Sequence, residues 1–144
     1  MTTPIDVVKA FVAGVSKGHA EMADTIRRYM TPDGTWENVG MMITRGPEEA
    51  IDLMIKAEKE AGVARFDLEL LSIAADGNTV LVERLDHCLR ADGSEAGTFK
   101  VGAVFEVENG RIRAWRDYFD TASTLNREWA EQMSWGMESQ RWEK

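Results

Sequence analysis

The sequence predicts an α+β fold: a strongly bent antiparallel sheet that forms a cone, with N-terminal helices packed on its concave side. Three observations carry this. Apolar residues recur at helical spacing as far as Gly62. From Phe66 to Asp120 the period changes to two, and turn residues separate four runs. The chain has 144 residues, 44% of them hydrophobic, which suits one core better than two. Helices first and strands afterwards give separate layers rather than alternating ones. The whole chain, 1–144, reads as a single domain.

Pro4 suits the first turn of a helix whose apolar stripe is Val7, Val8, Phe11, Val12 and Val15, and Gly18 ends it. A second helix covers Ala20 to Tyr29, and "TPDG" at 31–34 stops it as a loop. "TWENV" follows as a short strand with Trp36 and Asn38 on one side. In "TRGPEEAIDLMIKAEKEAG" a turn leads to Pro47 and two acids at a helix start, and Gly62 closes that helix. "FDLELLSIAADGN", "TVLVERLDHCLR", "TFKVGAVFEVENG" and "RIRAWRDYFD" then form a meander, joined at "ADGN", "ADGSEAG" and "ENG". Asp120 or Thr121 caps a last helix at about 121–143, made aromatic by Trp129, Trp135 and Trp142. That helix either packs on the domain's own sheet or serves as a dimer contact or pocket lid.

Charge narrows the function. Asp and Glu number 25 against 17 Lys and Arg, a net charge of −8. Nucleic acid and anionic membranes both call for a basic footprint, so neither is expected as a partner. Cys88 is the only cysteine, which rules out an intramolecular disulfide and points to a buried, inert thiol. The N-terminus lacks a basic flank and an uninterrupted apolar run, so no signal peptide or membrane span is expected, and a cytoplasmic location is.

Two strands raise the central question. In "VERLDHCL" at 82–89, Arg84 and Asp86 share a face with Val80, Val82 and Cys88. In "RAWRDYFD" at 113–120, Asp117 shares a face with Trp115 and Phe119. Buried charge is costly unless paired. One Arg can neutralise one of two carboxylates, and the second, close to a like charge, keeps its proton. A carboxylate base and a carboxylic acid would then stand in one apolar cavity, an arrangement suited to paired proton transfers. His87 alternates to the opposite face and reads as a surface residue, and His19 as a solvated one. Met41 and Met42 read as wall or core filler.

At this point the chain resembles a known family. "VERLDHCLRADGS…GAVFEVENGRIRAWRDYFD" is similar to the limonene-1,2-epoxide hydrolases. These belong to the larger group of nuclear-transport-factor-like, cystatin-like, SnoaL-like and ketosteroid-isomerase-like cone folds. The likeness is strongest over Val80–Asp120 and reaches upstream through "WEN" and the Gly46 turn. The resemblance implies an Asp–Arg–Asp triad at Asp86, Arg84 and Asp117. Asp117 would deprotonate water, Asp86 would protonate the epoxide oxygen, and Arg84 would bridge the two. It further implies a vicinal diol formed in one step without a covalent intermediate, metal or cofactor, and a homodimer.

The family's water-holding Asn matches Asn38, but its usual Tyr is replaced here by Trp36. Indole donates a hydrogen bond and cannot accept one. Trp36 therefore either holds the water less well or simply narrows the pocket. Cys88, Phe99, Val101, Trp115 and Phe119 are the expected pocket wall for a small apolar epoxide. Two rivals stand beside this reading. One is an isomerase or cyclase on the same cone, which would want an oxyanion hole rather than an Arg between acids. The other is a ligand-binding module without turnover, for which Trp36 is the main argument.

Overall fold

The structure, a computed structural model, describes residues 2–120; the helix expected at about 121–143 lies outside the described residues. Helix α1 (Pro4–Val15) opens with a reciprocal cap in which Thr3 Oγ1 accepts from Asp6 N and Asp6 Oδ2 from Thr3 N. The stripe read from the sequence is the face it buries. Each of those side chains contributes about 1.5–3 kcal/mol on leaving water. Gly18 lies three residues beyond the helix end. It instead precedes α2 (His19–Tyr29) with φ 108°, a conformation that favours glycine.

The order then runs β1 (Met30–Asn38), β2 (Met42–Arg45), α3 (Gly46–Ala61), β3 (Arg65–Asp76), β4 (Thr79–Leu89), β5 (Glu95–Glu108) and β6 (Arg111–Phe119). Helix α3 closes on Gly62 in the left-handed region, as read. The β5–β6 turn has positive φ at both Asn109 and Gly110, the backbone a two-residue hairpin needs.

These strands form one sheet in the order β2-β1-β6-β5-β4-β3. It is antiparallel except for β1 and β6, which run parallel with Trp36 opposite Trp115 and Asn38 opposite Asp117. The loop expected at 31–34 is a bulge within β1. Between Met30 and Thr35 that strand advances five residues while β6 advances two, from Ile112 to Ala114. Pro32 has no N–H to offer a ladder, so this stretch leaves the pairing. Strand β2 is not expected from the sequence, where Met41 and Met42 read as wall or core filler and Thr44–Gly46 as a turn. Further bulges fall in β3 between Leu70 and Ser72 and in the β5–β6 ladder between Glu106 and Val107. Bulges bend the strands that carry them.

The concave face holds the core. Phe11 from α1 sets its ring edge-on to Trp115 at 5.2 Å and to Phe105 at 6.0 Å. Met41 and Met42 are buried in the core cluster. Among the described residues no helix is long and apolar enough to cross a membrane.

Candidate active site

The sheet brings Arg84, Asp86 and Asp117 together by strand parity and order. Strand β4 carries Arg84 and Asp86 on its inner face, and β6 carries Asp117 on the same side two strands away. Strand β5 lies between, with Val101 opposite Arg84 and Ala103 opposite Asp117. Two strand spacings amount to about 10 Å, a gap that suits the long arginine side chain.

Arg84 is fully buried and uses its guanidinium as a bridge. Nε and Nη2 donate to Asp86 Oδ1 and Oδ2 at 2.6 and 2.9 Å. Nη1 and Nη2 donate to Asp117 Oδ1 and Oδ2 at 2.9 and 2.8 Å. Such paired, charge-assisted bonds are geometrically exacting, and Lys could not make both. Trp115 Nε1 adds a donor to Asp117 Oδ1 at 2.7 Å, and Trp36 Nε1 stands 3.5 Å from Oδ2.

Charge in this buried cluster is uneven, one cation to two carboxyl groups. Burial pushes the Asp86 carboxyl above the ordinary range, Arg84 pulls it back, and nearby Asp117 pushes it up again, leaving it raised. Burial also opposes the charge on Arg84, but Asp117 and Asp86 outweigh it and hold the guanidinium protonated. Asn38, on β1, is buried, and its Oδ1 has no hydrogen-bond partner among the described residues.

All five residues singled out for chemistry, Trp36, Asn38, Arg84, Asp86 and Asp117, line one cavity. Its empty space is about 480 Å³ including the open mouth. Of the expected wall residues, Phe99, Val101, Trp115 and Phe119 line it. Cys88 does not belong to that lining. It lies one inward step beyond Asp86 along β4, opposite Phe66 and Gly97, and is absorbed into the core. Burial pushes its thiol up to about 12, so it is inert.

Four wall residues went unread in the sequence: Met54 and Ala57 on α3, and Phe66 and Leu68 on β3. The signal was present in part, as an i, i+3 pair on a helix and an i, i+2 pair on a strand. Which helix covers the cone is a tertiary matter. His87 stands on the outer face against Glu69 and Glu95, which hold its imidazole above the ordinary range. His19, half-exposed, lies against buried Glu58.

Known proteins resemble this chain. The model of the limonene-1,2-epoxide hydrolase catalytic domain matches residues 2–130. Epoxide hydrolase EphG of Mycobacterium tuberculosis (strain ATCC 25618 / H37Rv) is 36% identical over 113 residues, 78% of this chain and 70% of that one. A solved M. tuberculosis LEH-like epoxide hydrolase superposes with a TM-score of 0.70 at 34% identity, covering 85% of this chain and 86% of the other. An NTF2-like protein from Burkholderia pseudomallei K96243 superposes with a TM-score of 0.69 at 20% identity over 93% and 99% of the chains, and shares the fold alone. A domain match spanning the whole described cone and a relative more than a third identical lead to one conclusion: this chain belongs to the limonene-1,2-epoxide hydrolase family.

Proposed function

We propose that the protein adds water to a small apolar epoxide and releases a vicinal diol by one-step general acid/base catalysis. The observation that carries this is the guanidinium of Arg84, bonded to both oxygens of Asp86 and both of Asp117. In this mechanism Asp117 takes a proton from water held beside Asn38 and Trp36. The water oxygen bonds to a ring carbon, the carbon–oxygen bond of the ring breaks toward oxygen, and Asp86 supplies that oxygen with its proton. Arg84 offsets the negative charge as it moves from Asp117 to Asp86. The raised Asp86 supports the role of acid, since only a carboxyl that keeps its proton can give it. Phe99, Val101, Trp115 and Phe119 offer an apolar wall to the substrate.

We also infer a homodimer. Leu81 and Tyr118 on the outward face are 49% and 47% exposed, and Leu71 at the β3 bulge is 46% exposed. Apolar groups left in water on one sheet face suit a contact between copies. The single free thiol fits a cytoplasmic location. Diol formation from a panel of small epoxides tests the activity. A chain that opens none of them removes the reading.

A further inference from the structure

Glu58 is a carboxyl group that the proposed mechanism leaves unused. It stands on α3 at 2% exposure. Met54, one helical turn earlier, and Ala57, the residue before it, line the cavity. Glu58 thus sits where α3 passes from cavity wall to its packing on α2. Its Oε2 accepts no hydrogen bond among the described residues. Against that oxygen stands Nε2 of His19, the half-exposed first residue of α2. A carboxylate oxygen and a bare imidazole nitrogen are both acceptors. Set against each other, they need a proton between them.

Among the described residues, His19 is the titratable group that faces Glu58. Strand β1 turns Trp36 and Asn38 inward and β2 turns Met42 and Thr44 inward, while Glu37 and Arg45 alternate away. The buried side of α2 is Met22, Ala23 and Ile26. Nearby charges pair elsewhere: Lys17 with Glu21, Arg65 with Asp67 and, on α3 itself, Lys56 with Glu60. Burial, not a neighbouring charge, pushes the Glu58 carboxyl up to about 8. A neutral imidazole with its N–H at Nε2 could still bond the ionised carboxylate. It would leave a buried charge without a cation, which is costly.

We propose that Glu58 and His19 form a proton-held latch between α3 and α2 that sets the width of the cavity. With the proton in place, α3 stays on α2 and closes its side of the cavity. Once the proton passes to water, the carboxylate draws solvent in and α3 lifts from α2. The cavity then widens beside Met54 and Ala57. One proton leaves per opening and returns on closing. In the open state, in water, the carboxyl ionises near 4.5, and in the closed state near 8. The closed state holds the extra proton between these values, so each pH unit upward favours opening about tenfold. The latch is shut in acid and loosens towards pH 8. It acts on the shape of the cavity, whatever reaction takes place inside.

Native-state hydrogen exchange, read amide by amide between about pH 5.5 and pH 7.5, tests the latch. The quantity compared is protection, the ratio of the unstructured rate to the observed one. In the parent, protection of the α3 amides from Met54 to Glu58 is expected to fall about tenfold per pH unit. Glu58→Gln keeps the shape, can donate to Nε2 and cannot ionise, so its α3 protection should stay high and flat. His19→Leu removes the hydrogen bond and should lower α3 protection about 2- to 10-fold at the acid end. Amides of β4 and β5 should remain at least about 10-fold more protected than α3 throughout, because α3 opens without the sheet. Flat α3 protection in the parent overturns the proposal, as does an equal slope in Glu58→Gln. Unchanged protection in His19→Leu removes the latch, and one common rate for α3 and the strands means global unfolding instead. If Glu58→Gln fails to fold, the parent slope and His19→Leu still decide. The readout needs no turnover, so its failure leaves the epoxide-hydrolase reading untouched.

Discussion

Asn38 stands directly opposite Asp117 where β1 and β6 run parallel. The two are far apart in the chain, and this register sets an amide oxygen that has no hydrogen-bond partner among the described residues in one cavity with the carboxyl group of Asp117. The same ladder sets Trp36 opposite Trp115, and both indoles donate to Asp117. The predictions follow from this arrangement and from the charges beside it.

Asp117→Asn is expected to lower kcat by about 10²–10⁴-fold, because an amide cannot take the water's proton. Asp86→Asn should fall by a similar factor for want of a proton to give. Circular dichroism should show both folded. Arg84→Ala removes the cation between half-buried Asp86 and buried Asp117 and should destabilise the fold by about 3 kcal/mol. Parent-like turnover in Asp117→Asn would sink the mechanism.

In the proposed mechanism Asp86 is the acid, so its protonated form is the active one. Its carboxyl is raised, chiefly by burial. Activity should therefore persist above the pH at which an ordinary Asp has ionised, and fall as pH rises through the Asp86 titration. A kcat/KM profile checks this. An activity that climbs with pH through that descending limb would reverse the assignment of acid and base.

Single turnover in ¹⁸O-labelled water should place the label in the diol and none in the protein. Label recovered in Asp117 or Asp86 would mean a covalent ester and an attack by carboxylate instead of water.

The cavity should favour slim epoxides over bulky cyclic ones, since the indoles of Trp36 and Trp115 and the side chain of Met54 line it. Met54→Ala removes wall from the α3 side and should raise kcat/KM for a cyclic epoxide relative to a linear one. Equal kinetics on both substrates in parent and variant would show that this wall does not select.

Glu58 is buried on α3, and burial pushes its carboxyl up to about 8. His19 Nε2 stands against Oε2, an oxygen that accepts no hydrogen bond among the described residues. The unfolded chain ionises Glu58 near 4.5, whereas the folded chain holds the proton until about 8. The native state then binds more protons across that window, and stability falls as pH rises through it. Glu58→Gln should flatten this slope and gain roughly 2 kcal/mol at pH 8, after allowance for partial hydration. Denaturant melts of both proteins at pH 5 and pH 8 measure it. Parallel slopes would show that Glu58 is already ionised in the fold.

Much of the site was legible locally. Alternation along "VERLDHCL" placed Arg84 and Asp86 on one face, and alternation along "RAWRDYFD" placed Asp117 with Trp115. Spacing alone marked the buried stripe of α1 and the closing Gly62 of α3. These are properties of neighbouring residues, set by the periods of helix and strand. The tertiary structure decided the rest. It paired β1 with β6 in parallel, turned 31–34 into a bulge, added β2, and brought α3 and β3 over the cavity in place of Cys88. Such choices depend on which distant surfaces bury each other best, and no local pattern records them. Glu58 shows the same divide. Its sequence neighbours mark an ordinary charged turn of helix, and only packing takes its carboxyl out of water.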